Sequence, residues 1–413
     1  MSVITMLRLG VLCLCFIVTL AQNDELQAFM EETQAEYKML GMAVGAFQGS
    51  EWIMKGQIGV RHADDPTPIG ENDKFYLSDA GRSIVSMLAA RVIEQSEGEL
   101  TWQSTLGEVF QGSMTVPDPF TDATLLELLL HSGHILDFEQ VMRHEDLMNW
   151  YDMVWGMSQW ADPALNADQR WNMANFLVNI GCYEQEDELC VKGRYSKFTY
   201  SVAVSMLEMF TGKTFNALLT EYVFDPLDAP DCGVGPTTLD QSLPPAQPWS
   251  HFSGPWGVYN IPVVPGDQSE MPSSIAPDDG LHCSLESWKN VMSAHLTKPQ
   301  EFLSEDSWSV LQTAGVLLYD EINYAPGFVV DNSNPFVTTL YHPGGDQKTW
   351  STVYIVPEAQ VGLVVAANQN LQDGMRQKVG ADKIMEYVGK QLSGYAGITI
   401  KLNSMKNAQE LVH

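Results

Sequence analysis

The sequence has few cations, few cysteines and, past its N-terminus, no long apolar run. Lys and Arg together number 22 against 52 Asp and Glu, for a net charge of −30. Nucleic acid and anionic membrane surfaces are poor partners for such a chain. Cations, a mineral surface or basic extracellular proteins are better ones. The acids are scattered in short groups such as "GENDK" and "EQEDE" rather than gathered in a tract, which is the pattern of a solvated surface on a folded protein. Beyond the N-terminal segment no stretch approaches the ~18 uninterrupted apolar residues of a membrane-spanning helix. No CxxC pair or Cys/His spacing suggests zinc, and no D-x-[DN]-x-[DN]-G loop suggests a discrete calcium site. The sequence therefore predicts neither a metal site nor a cofactor. No repeat period stands out, and oligomeric state is not legible.

What is present is ordinary globular composition, 45% hydrophobic and 18% charged over 413 residues. That is ample for a large core in one domain or two lobes. Residues 1–21 read as a secretory signal peptide, with Arg8 as the basic region, "LGVLCLCFIVTL" as the apolar region and "TLA" as the cleavage site before Gln22. The expectation is a secreted, extracellular protein, one unit more negative once Arg8 is removed. Cys13 and Cys15 leave with that segment. The remaining Cys182, Cys190, Cys232 and Cys283 allow three connectivities. The short "YEQEDEL" between the first two favours a local Cys182–Cys190 clasp, with Cys232–Cys283 as the second bridge.

Apolar spacing predicts a helix over 24–38, then a β-hairpin from "MAVGAFQ" and "EWIMKGQIGV" around a Gly-Ser turn. "RHADDPTPIGENDK" reads as loop. Helical patterns dominate from about 100 to 275, among them "HEDLMNWYDMVWGMSQW", a Met- and aromatic-rich stretch suited to inter-lobe core. "SLESWKNVMSAHL" returns to helix. Three strands follow in "FVTTLYHPGG", "TWSTVYIVP" and "VGLVVAANQ", and a last amphipathic helix closes the domain. The order predicts an α+β fold with one antiparallel sheet built from both chain ends, flanked by helices, and a mostly helical lobe inserted. The expected boundaries are an α/β lobe of 22–100 plus 276–395, a helical lobe of 101–275 and a tail of 396–413.

One stretch carries the chemical question. "FYLSDAGRSIVSMLAARVIEQ", residues 75–95, reads as a strand end, a turn and an amphipathic helix. Asp79 and Arg82 are three residues apart and share a face of its first turn. This is where a nucleophile and its helper could sit, yet neither side chain suits either role. Five segments in order resemble blocks of the serine β-lactamase and penicillin-binding superfamily, in its class C, carboxypeptidase and esterase branch. They are "DKFYLSDAGRSIVSMLAARVIEQ" for F-x-x-x-S-x-x-K, "LLELLLHSGH" for LL-x-H-T-S-G, "GRYSKFTYSVAVSMLEMFTGKTFNALLTEYVFDPL" for the Y-x-N block, "APDDGLHCSLESW" for GGL-x-ST, and "YHPGG" for H-x-G-G. The resemblance spans roughly 25–393 and implies the β-lactamase/transpeptidase-like fold.

The resemblance also implies an acyl-enzyme route. A serine attacks a carbonyl, a lysine one turn on and a tyrosine move the proton, and backbone N–H groups hold the oxyanion. Phe75 sets the register. Asp79 then stands at the nucleophile position and Arg82 at the lysine position. Tyr195 matches the tyrosine, whereas Lys197 stands where Asn belongs. His342 and Gly344 match H-x-G, and Gly345 offers the second oxyanion N–H. An arginine keeps its proton at any relevant pH and cannot act as a general base. A carboxylate is a poor nucleophile toward esters, and its charge opposes the oxyanion. No catalytic residue is therefore expected.

Plainer readings also exist for single residues. Asp79 could be a helix N-cap, Tyr195 a core tyrosine, His342 and Gly344 requirements of a strand turn, and His131 a loop brace. The functional expectation is a secreted, acidic, catalytically inactive family member acting as an extracellular binding or matrix protein. Secreted invertebrate proteins similar to β-lactamases occur in mollusc shell matrix, the gigasins among them, and the acidity fits a biomineral setting. The alternative is an active serine hydrolase with a displaced nucleophile, Ser78 or Ser83, and Tyr195 or Lys197 as base. A third idea is that Arg82 and Lys197 hold an anionic ligand without turning it over.

Overall fold

A computed structural model of the chain describes residues 23–117, 120–135, 163–180, 195–253, 260–266, 272–318, 322–371 and 375–397. The expected leader 1–21, the stretch 144–160, Cys182, Cys190 and nearly all of the tail 396–413 lie outside the described residues.

Strands β1 (Gly41–Gln48), β2 (Glu51–His62) and β3 (Asp65–Pro68) open the chain. The short strands β4 (Lys74–Tyr76), β5 (Gly233–Val234), β6 (His251–Ser253), β7 (Asn260–Pro262) and β8 (Leu281–Ser284) follow. Six more close it: β9 (Val316–Leu318), β10 (Ile322–Ala325), β11 (Phe328–Asp331), β12 (Thr339–Gly345), β13 (Trp350–Val356) and β14 (Val361–Ala367). The helices that frame the core and the site are α1 (23–37), α2 (Arg82–Gln95), α3 (Leu125–Leu129), α4 (Pro163–Ile180), α5 (Thr199–Thr211), α6 (Ala276–Asp279), α7 (Leu285–Thr297) and α8 (Arg376–Ala396).

The large sheet has nine strands in the order β3-β2-β1-β14-β13-β12-β11-β10-β9. N-terminal β1 pairs antiparallel with C-terminal β14, Met42 opposite Ala367 and Gln48 opposite Val361. The two chain ends therefore build one sheet, as the alternating runs predict. Strand periodicity sorts its side chains into two cores. Val364 and Ala366 of β14 face the core that contains Ile84, Val85 and Leu88 of α2 and Trp288, Val291 and Met292 of α7. Leu363 and Val365 face the other, with Leu26 and Met30 of α1 and Ile384, Val388 and Leu392 of α8. Because both faces are covered, β14 reads as a near-continuous apolar run, "VGLVVAA", rather than an alternating one.

The "RHADDPTPIGENDK" segment differs from its loop reading, since Asp65–Pro68 pair with β2. Pro66 and Pro68 are tolerated because β3 is an edge strand, where missing N–H groups cost little. Strands β9–β11, only three or four residues each, are too short to show a period in sequence. The Cys232–Cys283 disulfide is present and ties the start of β5 to β8.

Two glycines let the sheet approach the start of α2. A Cβ on Gly344 of β12 would lie 2.3 Å from the Leu77 carbonyl oxygen and 2.8 Å from the Ala80 nitrogen. Gly327, between β10 and β11 at φ +83°, would place one 2.5 Å from the Ser83 Cα. Neither neighbour is a flexible side-chain tip. Gly344→Ala is therefore expected to lower stability by about 1–3 kcal/mol, measured by urea unfolding. A variant as stable as the parent would show that this approach is not tight.

Candidate functional site

Beyond β4 the chain enters a 3-10 turn, Ser78–Gly81, and then α2. Ser78 takes the left-handed conformation, φ +45°, a strain of roughly 1–2 kcal/mol for a residue with a Cβ. The Leu77 N–H donates to the Leu281 carbonyl (2.8 Å), and the Ala80 N–H donates to the Leu77 carbonyl (3.0 Å). Asp79 does not cap the helix. The α2 N-cap is Gly81, and neither the turn nor the helix has a side-chain cap bond. The Asp79 carboxylate is instead committed to Arg82, with Oδ1 2.7 Å from Nη2 and both side chains fully buried.

Three other elements close around this pair. Tyr195, just before α5, accepts a hydrogen bond from Arg82 Nη1, and its hydroxyl lies 3.5 Å from Asp79 Oδ1. The guanidinium carbon sits 4.8 Å from the Tyr195 ring centroid and 5.5 Å from that of Tyr200, in cation–π range. From α6, Asp278 Oδ1 lies 3.5 Å from Arg82 Nε. Its other oxygen accepts from Ser201, at 3.1 Å from the backbone N–H and 2.7 Å from the hydroxyl. Asp279 follows, its Oδ2 3.9 Å from Lys197 Nζ. Lys197 thus reaches the pair's surroundings through Asp279.

Asp278 and Asp279 are not among the residues that the sequence motifs mark. The signal was there, since "DDGL" stands in the segment that resembles GGL-x-ST, and an acid pair at a glycine turn is out of place. Nor do the motifs mark Tyr324, which lies between two histidines. The Pro343 carbonyl can only accept, so His342 Nδ1 carries the proton at 2.6 Å, and His342 Nε2 accepts from the Tyr324 hydroxyl at 3.2 Å. The Tyr324 oxygen then accepts from His131 Nε2 at 3.3 Å, and His131 Nδ1 accepts from Thr199 at 2.8 Å. These bonds make His131 a brace between α5 and β10, its ring tilted by 31° at 4.2 Å from the Tyr195 ring.

Burial and charge set the protonation states. Burial would push the Asp79 carboxyl up, but the charges of Arg82 and then Lys197 outweigh it and hold it below the ordinary value. The nearby Gly345 backbone N–H adds to the lowering. Burial opposes the Lys197 charge, yet Asp279 and Asp79 raise its pKa. Burial pushes Asp278 up to about 8, despite Arg82. Burial and then the Asp79 charge raise Asp279 as well. Burial followed by Arg82 lowers His131 well below its usual range and His342 to about 4, so both rings are neutral.

Asp79, Arg82, Tyr195 and Gly345 therefore meet at one point. Lys197 stands beside them on Asp279, His342 behind them, and Gly344 supports the turn. The positions that the sequence resemblance assigns to a nucleophile and a base hold a carboxylate and a permanent cation, already paired. The displaced-nucleophile serines are also engaged: Ser83 Oγ donates to the Ala80 carbonyl at 2.9 Å, and Ser78 Oγ lies 3.1 Å from Thr349 Oγ1. No group of acids, histidines or cysteines among the described residues could hold a metal ion.

The carboxyl pair makes stability depend on pH with a definite sign. Asp278 and Asp279 bind protons more tightly folded than unfolded, so their contribution falls as pH rises from 3.8 to about 8 for Asp278 and to about 7 for Asp279. Asp79 acts oppositely and loses its contribution only below pH 3.8. Asp279→Asn is expected to flatten the decline in unfolding free energy between pH 5 and 8, by on the order of 2–4 kcal/mol at full burial, read by urea unfolding across that range. An unchanged slope would place Asp279 in an ordinary environment.

A Beta-lactamase family model matches residues 26–383, whereas no curated protein sequence matches. Among solved structures, the chain is similar to an octameric penicillin-binding protein homologue from Pyrococcus abyssi at 14% identity, TM-score 0.67, covering 90% of this chain and 78% of that one. It is similar to the D-amino acid amidase from Ochrobactrum anthropi SV3 at 15% identity, TM-score 0.66, covering 90% and 99%. EstCE1, a hydrolase with promiscuous acyltransferase activity, matches at 17% identity, TM-score 0.65, covering 90% and 99%. At such identities the structures speak to the fold alone. The family model carries the assignment, and it spans β1 to β14 and every site residue above: this chain belongs to the beta-lactamase family.

Proposed function

We propose that this protein is a non-hydrolytic member of its family, secreted and acting by binding. The observation that carries the reading is the buried Asp79–Arg82 pair at 2.7 Å, standing where the family pattern places its serine and lysine. Acyl transfer needs a neutral base near a free nucleophile. Arg82 cannot be that base, because its pKa is raised even further by Asp79 and Asp278 after burial is offset. Lys197 is held as a cation by Asp279 and Asp79. The Tyr195 hydroxyl is engaged by Arg82 and Asp79. An anion at the nucleophile position also opposes the oxyanion that the Gly345 N–H would serve.

An amidase and a promiscuous acyltransferase share the fold, so a serine and a lysine in this frame would have somewhere to act. Ser78 and Ser83 do not supply the displaced route, because their hydroxyls face Thr349 and the Ala80 carbonyl. The anion-holding idea is not carried forward either, since Arg82 is consumed by Asp79 and Asp278. The charge of −30 supports an extracellular partner that is cationic, a basic matrix protein or a cation-rich mineral face.

The test is covalent labelling. A fluorophosphonate probe is expected to leave the purified wild type unlabelled, and short-chain aryl esters to turn over at buffer rate. The triple variant Asp79→Ser, Arg82→Lys, Lys197→Asn is expected to fold and to take up the probe slowly. Wild-type labelling that disappears in Ser78→Ala or Ser83→Ala would overturn the proposal.

A further inference from the structure

Asp279 is the unresolved charge of the site. Its side chain is 1% exposed, and neither carboxylate oxygen accepts a hydrogen bond from a described residue. Asp278, beside it, is satisfied by Ser201 on one oxygen and faces Arg82 with the other. The nearest cation to Asp279 is Lys197 Nζ at 3.9 Å, beyond hydrogen-bond length, on a side chain 28% exposed. A carboxylate in such a place costs several kcal/mol unless a charged donor meets it. The groups facing it are Asp79, Lys197, Arg82 and Asp346, and Arg82 is already committed to two other acids.

We propose that Asp279 forms an acceptor site for the primary ammonium group of a ligand, and that Lys197 is a tethered, displaceable ammonium covering it. The acids around Asp279 are not placed to hold a metal ion together among the described residues. An ammonium needs only charge and hydrogen-bond acceptors, which the two oxygens of Asp279 supply. Lys197 shows that an ammonium fits the approach, and its long stem and partial exposure give it somewhere to go. The ligand class is therefore a primary amine whose remaining part extends past Lys197 toward solvent. A ligand carboxylate in that place would meet Asp279 and Asp346 instead, and is excluded. This inference rests on the non-hydrolytic reading only in that the ligand leaves unchanged.

Butylammonium chloride is the probe, with equimolar sodium chloride and butanol as controls, and the readout is the melting temperature of the full mature chain. Lys197→Ala is expected to rise by about 2 °C or more at saturating amine, wild type by less, and Asp279→Asn not at all. The rise is expected to be larger at pH 8 than at pH 6. Alkylammonium ions stay charged at both values, whereas Asp279 must ionise to accept one. No amine-specific rise in Lys197→Ala overturns the proposal without reference to any other variant. An equal rise in folded Asp279→Asn, or with sodium chloride, overturns it as well. Fluorophosphonate labelling of the wild type would instead sink the non-hydrolytic reading and leave this one to the melting data.

Discussion

A guanidinium with no contact to water must find its counter-charge inside the protein, and the site is organised by that requirement. Arg82 is fully buried at the start of α2. Removing such a group from water costs far more than any surface interaction returns, unless anions and acceptors meet it directly. Asp79 meets it from the preceding turn, Asp278 from α6, and Tyr195 and Tyr200 lay their rings against it. The fold brings these elements together for reasons of packing, since Gly344 and Gly327 admit the sheet to the turn and helix. Charge then determines what the meeting point can do.

On the proposed non-hydrolytic reading, the departures from the pattern that the sequence resembles form one set. An arginine in place of the lysine brings a proton that cannot leave. An aspartate in place of the serine supplies its partner. Asp279 brings a further acid to the same enclosure, and Lys197 answers it at 3.9 Å from the more open side. Any one of these changes alone would bury an uncompensated charge, whereas together they leave the site close to balance. The residual imbalance sits at Asp279, whose two oxygens accept no hydrogen bond from a described residue.

Sequence showed the frame well because the frame obeys period. The β1–β2 hairpin, the three late strands and α8 are long enough for apolar spacing to be read, and β1 pairing with β14 follows from two apolar runs at opposite ends. Asp79, Arg82, Tyr195, Lys197 and His342 were legible because the flanking segments set their register. Strands β9–β11 were not, being too short to show alternation, and β3 was hidden by its prolines. Asp278, Asp279 and Tyr324 were missed for a different reason. Their roles arise from long-range approach, Tyr324 meeting His131 across 193 positions of chain, and no local spacing records such a contact. The N-cap reading of Asp79 failed because a carboxylate next to a buried cation gains more from it than from free helix N–H groups.

The most direct test of this account is a double-mutant cycle on Asp79→Asn and Arg82→Met, with unfolding free energy as the readout. Each single change leaves the partner charge buried, so each is expected to cost about 3–5 kcal/mol. The double change removes both charges and is expected to cost clearly less than the sum, a coupling of about 2 kcal/mol or more. Additive single effects would contradict the claim that this ion pair is the interaction around which the site is built.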